Sequence, residues 1–239
     1  MVAAFAGLLW AGGRFGEPGR ADIFLLLGMG FLVPPVTAWL GATAKTRWEF
    51  LFRGGPVADV FGICLIVHAL TGGEIGLFSA MKAYLVMAAL VVAICAWTWR
   101  FRQWGLKSVV GQAIVPLVVI LAQSSLIWGY WPCHLLPTEH QERATTVLLH
   151  SNPLLGLLDA VRFDVPFNWL TAEVMYGWTR LGQDVAALTP DWLTVLLVFS
   201  LLAVLGFAGR TGLVRASGKN GHEQASAVGK TGGLSDQGL

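Results

Sequence analysis
Apolar residues run along this chain in long blocks, separated by short basic, polar or glycine-rich stretches. A helix that crosses a bilayer needs about 20 apolar residues. Ala21–Ala44, Val57–Thr71, Ala80–Trp99, Ser108–Trp128 and Asp191–Gly209 meet or approach that length. The second block is short at Gly72-Gly73 and has room to extend toward Phe78. Met1–Gly12 is apolar but only about half a span. It reads as the far end of a helix or a short interfacial helix, a partial sixth element. Pro34 and Pro35 fall inside the first block and Pro116 inside the fourth. Proline removes a backbone donor, and membrane helices tolerate it where neighbours re-satisfy the freed carbonyl.

The pattern changes between Gly129 and Pro190. Ser151-Asn152-Pro153 reads as a helix start, with Asn152 capping free amides and Pro153 at the first helical position. Leu154, Leu155, Leu157, Leu158 and Val161 follow, with Asp159 and Arg162 on the polar side. Further on, Phe167, Leu170, Val174, Trp178, Leu181 and Val185 share one helical face. Both helices are too short or too charged to span, and are expected to lie in the interface or cover the outer mouth of the bundle.

Composition supports a membrane protein. The 239 residues are 55% hydrophobic and 13% charged, against about 25% charged in ordinary soluble domains. Mean hydropathy is +0.64. A water-soluble enzyme is excluded on these grounds. So is a nucleic-acid-binding or disordered chain, because the net charge is only +2 and no basic run exists. The predicted fold is therefore an all-α polytopic bundle of five to six transmembrane helices with an outer amphipathic helical cap. Residues 1–209 form the transmembrane domain, with an outer segment at 130–189. Residues 210–239, rich in Gly, Ser, Gln and Lys, form a disordered cytoplasmic tail.

Lys and Arg set the orientation. With the tail inside, the inner side carries Lys45, Arg47, Arg53, Arg100, Arg102, Lys107, Arg210, Arg215, Lys219 and Lys230, opposed by Glu49, Glu223 and Asp236. Asp59 is placed at the start of a helix. Both termini are then cytoplasmic, and the setting is the cytoplasmic (inner) membrane. His68 is the ionisable residue nearest mid-membrane. Ion-coupled carriers usually hold intramembrane carboxylates, so their scarcity favours a machine driven by a partner.

Chemical motifs are sparse. Cys133, His134, Glu139, His140 and His150 lack the spacing of a zinc site. Gly229-Lys230-Thr231 lacks the rest of a phosphate-binding loop and the strand before it. No metal or other cofactor is implied. Thr43–Phe52 (TAKTRWEFLF) mixes basic and aromatic residues on the inner side, and suits an interfacial anchor or a docking helix.

This order of parts resembles the membrane subunit of ABC-2-type transporters. Thr43–Gly54 stands where that family couples to its ATPase, although its Glu-Arg…Gly-Thr pattern is missing here. Thr71–Phe78 (TGGEIGLF) is similar to the family's Gly-Gly turn, and Asn152-Pro153-Leu154-Leu155 to the Asn-Pro helix before its last span. The resemblance implies a permease subunit, not itself an enzyme, that moves a substrate with a separate cytoplasmic ATPase. It also implies a second permease copy or paralogue in the bilayer. Lys45, Arg47, Trp48, Glu49 and Phe50 would form the coupling segment, and Asn152, Pro153 and Asp159 the outer helix cap. Two other classes fit the same residues. One is a non-transporting integral membrane assembly or anchoring subunit. The other is a membrane-embedded enzyme working at the outer loop through His134, His140 or Asp159.

Overall fold
The computed structural model of the protein describes residues 20–41, 44–104, 108–164 and 191–208. Met1–Gly12, the helix through Phe167–Val185, the Gly229-Lys230-Thr231 string and the 210–239 tail lie outside those residues. The chain divides into two compact units, Met1–Phe207 and Ala208–Leu239; the first holds everything discussed below.

The described residues are helical, with no strand among them. The helices are α1 (Arg20–Gly41), α2 (Arg47–Leu70), α3 (Leu77–Gln103), α4 (Ser108–Gln123), α5 (Ser125–Trp128), α6 (Tyr130–His134), α7 (Thr138–His150), α8 (Pro153–Ala160) and α9 (Trp192–Ala208). Of these, α2 with 24 residues and α3 with 27 are long and apolar enough to cross a membrane. The apolar parts of α1 and α4, Leu25–Gly41 and Ala113–Gln123, are shorter, as is α9.

Two boundaries differ from the sequence reading for physical reasons. α2 begins at Arg47, well before Val57, because Thr46 caps it: its hydroxyl accepts the Glu49 amide at 3.2 Å, and a Glu49 carboxylate oxygen accepts the Lys45 amide at 2.7 Å. This is a close variant of the reciprocal capping box. Thr46–Phe52 is therefore the first part of α2, not a separate surface helix, and Asp59 lies midway along the helix rather than at its start. α4 stops at Gln123, short of Trp128, where the chain breaks into the short helices α5 and α6. α7 has no counterpart among the elements expected from the sequence.

α1, α2 and α3 run up, down and up. The start of α1 meets the end of α2 through Asp22 and His68. The end of α1 meets the start of α2 where Phe50 packs on Gly41, and Arg102 of α3 donates to the Ala44 carbonyl. Among the described helices, α2 and α3 pack most extensively. α9 runs alongside α3: the Trp97 indole N–H donates to the Leu202 carbonyl at 3.0 Å, and Gly206 lies against Ala96.

α8 is buried on every side, Pro153 through Leu158 included. It packs on α3 and α1 rather than lying in an interface with one polar face out. Its start is as the sequence indicates, with the Asn152 side chain accepting the Leu154 amide at 3.0 Å and Pro153 in the first turn. The same carboxamide donates to the Gln123 carbonyl and to Ser125 Oγ, both at 3.1 Å. Gln123 in turn donates Nε2–H to the Gly30 carbonyl at 2.8 Å. Residue 34 is proline and has no amide for that carbonyl. Gln123 thus repairs the gap that Pro34 opens in α1, and Asn152 holds Gln123.

Asn152→Ala should cost about 2–4 kcal/mol, since a helix cap and two buried donations vanish together. The readout is the unfolding midpoint in detergent micelles. Gln123→Leu should cost about 1–3 kcal/mol. Pro34→Ala in the same chain should recover most of it, because alanine there supplies the missing amide. Equal cost with and without Pro34→Ala would sink this account.

Candidate functional site
Most described charges of the long helices sort to their two ends. At one end stand Lys45 and Arg47 before and at the start of α2, and Arg100 and Arg102 in the last turn of α3. Aromatic rings surround them. The Arg47 guanidinium lies 5.3 Å from the Trp48 ring, and that of Arg100 lies 5.3 Å from Trp104. Trp104 meets Trp97 and Phe101 edge-on, at 6.5 and 5.4 Å between ring centroids.

The five residues of the expected coupling segment divide into distinct roles. Lys45, Arg47 and Trp48 are exposed, Trp48 by 59%. Glu49 is used within the helix, accepting from the Lys45 amide and from Arg53. Phe50 is 1% exposed and packs edge-on against Trp99 at 5.9 Å. It anchors α2 in the bundle and is unavailable to a partner. Phe52, 78% exposed, is the aromatic that faces outward.

The other end is acidic. Asp22, 3% exposed, accepts from the Glu74 amide at 3.1 Å and pairs with His68. His68 stands out in the sequence as an ionisable residue in an apolar block; its partner Asp22 lies inside the first apolar block, where nothing local marks it. The turn between α2 and α3 passes through Gly72 at φ +96°, a left-handed conformation that glycine adopts without strain. Asp164 accepts the Gly76 amide at 2.8 Å. Asp159 accepts the Trp192 amide at 2.9 Å, which ties α8 to the first turn of α9, and Arg162 lies 3.9 Å away. Burial holds the Asp159 carboxyl above the usual carboxylate range, against the opposing pull of the Trp192 amide. Lys82 lies over the rings of Phe78 and Trp192, at 4.6 and 5.6 Å.

Between the ends are two features with no local sequence signal. One is an apolar cavity of about 410 Å³ between α3, α4 and α9, walled by Leu90, Ile94, Trp97, Phe101, Val119 and Phe199, with Ser151 at its edge. That volume is in the roughly 300–1,000 Å³ range of ligand sites. Its walls suit a hydrocarbon chain or an apolar molecule. The other is Asp59, whose Oδ1 accepts the Tyr84 hydroxyl at 2.9 Å.

Among the described residues no three His, Cys, Asp or Glu side chains are placed to hold a metal ion. Cys133 is buried, Glu139 and His140 are exposed, and the His150 ring bonds the Thr146 carbonyl at 2.9 Å.

The Asp159 environment generates a pH prediction. Its folded pKa is raised, so the folded state loses stability as pH climbs from the unfolded carboxylate value through the folded one. Asp159→Asn keeps an acceptor for the Trp192 amide and removes the titration. Melting between pH 4 and 7 should fall in the parent and stay flatter in the variant. Identical slopes would count against a buried Asp159.

The chain matches no family model, no curated protein and no solved structure.

Proposed function
We propose that this chain is the permease subunit of an ABC-type transporter, which moves a substrate across the cytoplasmic membrane with ATP hydrolysed by a separate subunit. The observation that carries this reading is the construction of the α2 start. Lys45, Arg47, Trp48 and Phe52 project outward, while Phe50 locks the same turns against Trp99 and Gly41. A force applied by a cytoplasmic partner to such a segment is delivered to α2 as a rigid body, and through the α2–α3 packing to the bundle.

Several further points support the reading. The basic end is assigned to the cytoplasm by the excess of Lys and Arg. α2 and α3 span, and α1, α4 and α9 complete a multi-pass bundle as shorter or broken membrane helices, which are tolerated where their backbone groups are buried in protein. Gln123 on the Gly30 carbonyl is such a repair. The cavity beside α3 offers room for the apolar part of a cargo. A second permease copy or paralogue completes the pathway, as the family layout implies.

A second reading, an assembly or anchoring subunit without transport, is favoured by one observation: Asp59 is exposed midway along a full-length apolar helix, where a membrane partner is needed.

Charge reversal decides between them. In vesicles holding the chain with its co-purified ATPase, Lys45→Glu with Arg47→Glu should weaken substrate-stimulated hydrolysis about tenfold or more, because like charges meet across the contact. Trp48→Ala should act in the same direction without lowering the melting midpoint, whereas Phe50→Ala should lower it. Full stimulation in the double reversal would rule out coupling through this segment, and absence of any ATPase partner would favour the anchoring reading.

A further inference from the structure
We propose that an exposed seam on α2 docks a partner transmembrane helix carrying a basic side chain at the depth of Asp59. The inference rests on α2 spanning the membrane, and is independent of ATP coupling.

Phe52, Pro56, Asp59, Ile63, Val67 and Leu70 are all exposed, and their spacing of three and four residues puts them in one stripe. The opposite face, with Phe50, Gly54, Val57, Ala58, Phe61 and Leu65, is buried against the bundle. The seam is apolar except at its centre. Asp59 lies there, midway along α2 and six residues, about 9 Å at 1.5 Å per residue, beyond Arg53 at the basic end. One carboxylate oxygen accepts the Tyr84 hydroxyl, and no second hydrogen bond to this side chain occurs among the described residues.

A half-paired carboxylate facing hydrocarbon is costly, and intramembrane acids face polar partners instead. The seam has space for one. A Cβ built on Gly55, one turn before Asp59, meets nothing within 4 Å, so a neighbouring helix can approach closely there.

Charge decides what kind of helix fits. A partner with an Arg or Lys at that depth neutralises Asp59. A second copy of this chain offers no such residue from its described helices. The basic residues of α2 and α3 lie toward their ends, Lys82 is held over Phe78 and Trp192, and Leu25–Gly41, α4 and α9 contain no Lys or Arg. Two copies packed seam to seam would bring carboxylate to carboxylate. The described helices of a second copy thus lack the complementary charge, and the occupant proposed is a different membrane chain.

The test uses the full chain in phosphatidylcholine vesicles. The probes are two synthetic leucine-rich transmembrane peptides, one with a single Arg six residues into its apolar stretch and one all-Leu, and association is read by fluorescence energy transfer. The Arg peptide should bind about tenfold more tightly than the Leu peptide. Asp59→Asn should reduce it to the Leu level. Dicyclohexylcarbodiimide, which modifies carboxyl groups in apolar surroundings, should label Asp59 in the chain alone and label it several-fold less once the Arg peptide is bound. Equal binding of the two peptides, or an unchanged Asp59→Asn chain, overturns the proposal. So does self-association of the chain that disappears in Asp59→Asn, which would make the seam a contact between copies. Resistance to carbonate extraction is measured first. A chain that is extracted overturns the spanning reading itself, whereas an integrated chain indifferent to the Arg peptide overturns only the seam.

Discussion

One missing backbone hydrogen organises the middle of this molecule. Pro34 gives α1 no amide with which to bond the Gly30 carbonyl, and a buried carbonyl without a donor is expensive. Gln123 supplies the donor from the last residue of α4. Asn152 then fixes the Gln123 backbone and Ser125 while starting α8. The break after α4 and the start of α8 are therefore one arrangement, held by side-chain amides rather than by apolar packing alone. Such networks specify a unique core when their members are satisfied. Here one acceptor, Gln123 Oε1, is buried without a partner, so the node is under-satisfied.

The parts of this design that are legible in the sequence are those governed by local rules. The Asn152-Pro153 start of α8 follows from capping chemistry, and the apolar blocks place α1, α3 and α9 to within a few residues. The α2 boundary is readable too: Thr46 and Glu49 have the spacing of a capping box, but the basic and aromatic residues around them suggest a surface segment instead. Where local rules run out, the sequence misleads. The polar side expected of α8 rests on Asp159 and Arg162, yet Asp159 turns to the Trp192 amide and the helix is enclosed. Gln123 looks like the tail of an apolar run, and nothing near it in sequence says that it serves Gly30. Asp22 and His68, Trp97 and Leu202, and the cavity walls are all made by residues far apart in the chain.

Low charge acquires a more specific meaning from the structure. Most ionic groups of α1, α2, α3 and α8 are concentrated at two ends, one basic and aromatic, one acidic, and many are drawn into caps, ring contacts or pairs. Asp59 is the exception that modifies the energetic argument. A carboxylate midway along a full-length apolar helix weakens the case that the bundle is free of intramembrane acids. It shifts attention from what passes through the bundle to what stands beside it. The Tyr84 hydroxyl stabilises one oxygen, so this acid is partly accommodated even without a neighbour.

The position of α8 has an electrostatic consequence. Its first turn begins at the Gln123 and Gly30 level, well inside the bundle, and its other end reaches Asp159 at the acidic face. Aligned peptide dipoles leave roughly half a positive elementary charge at a helix start. Here the Asn152 side-chain oxygen caps that end, and Asn152 is fully buried. The start of α8 therefore sets a positive partial charge inside the bundle, met by the Asn152 side-chain oxygen 3.0 Å from the Leu154 amide.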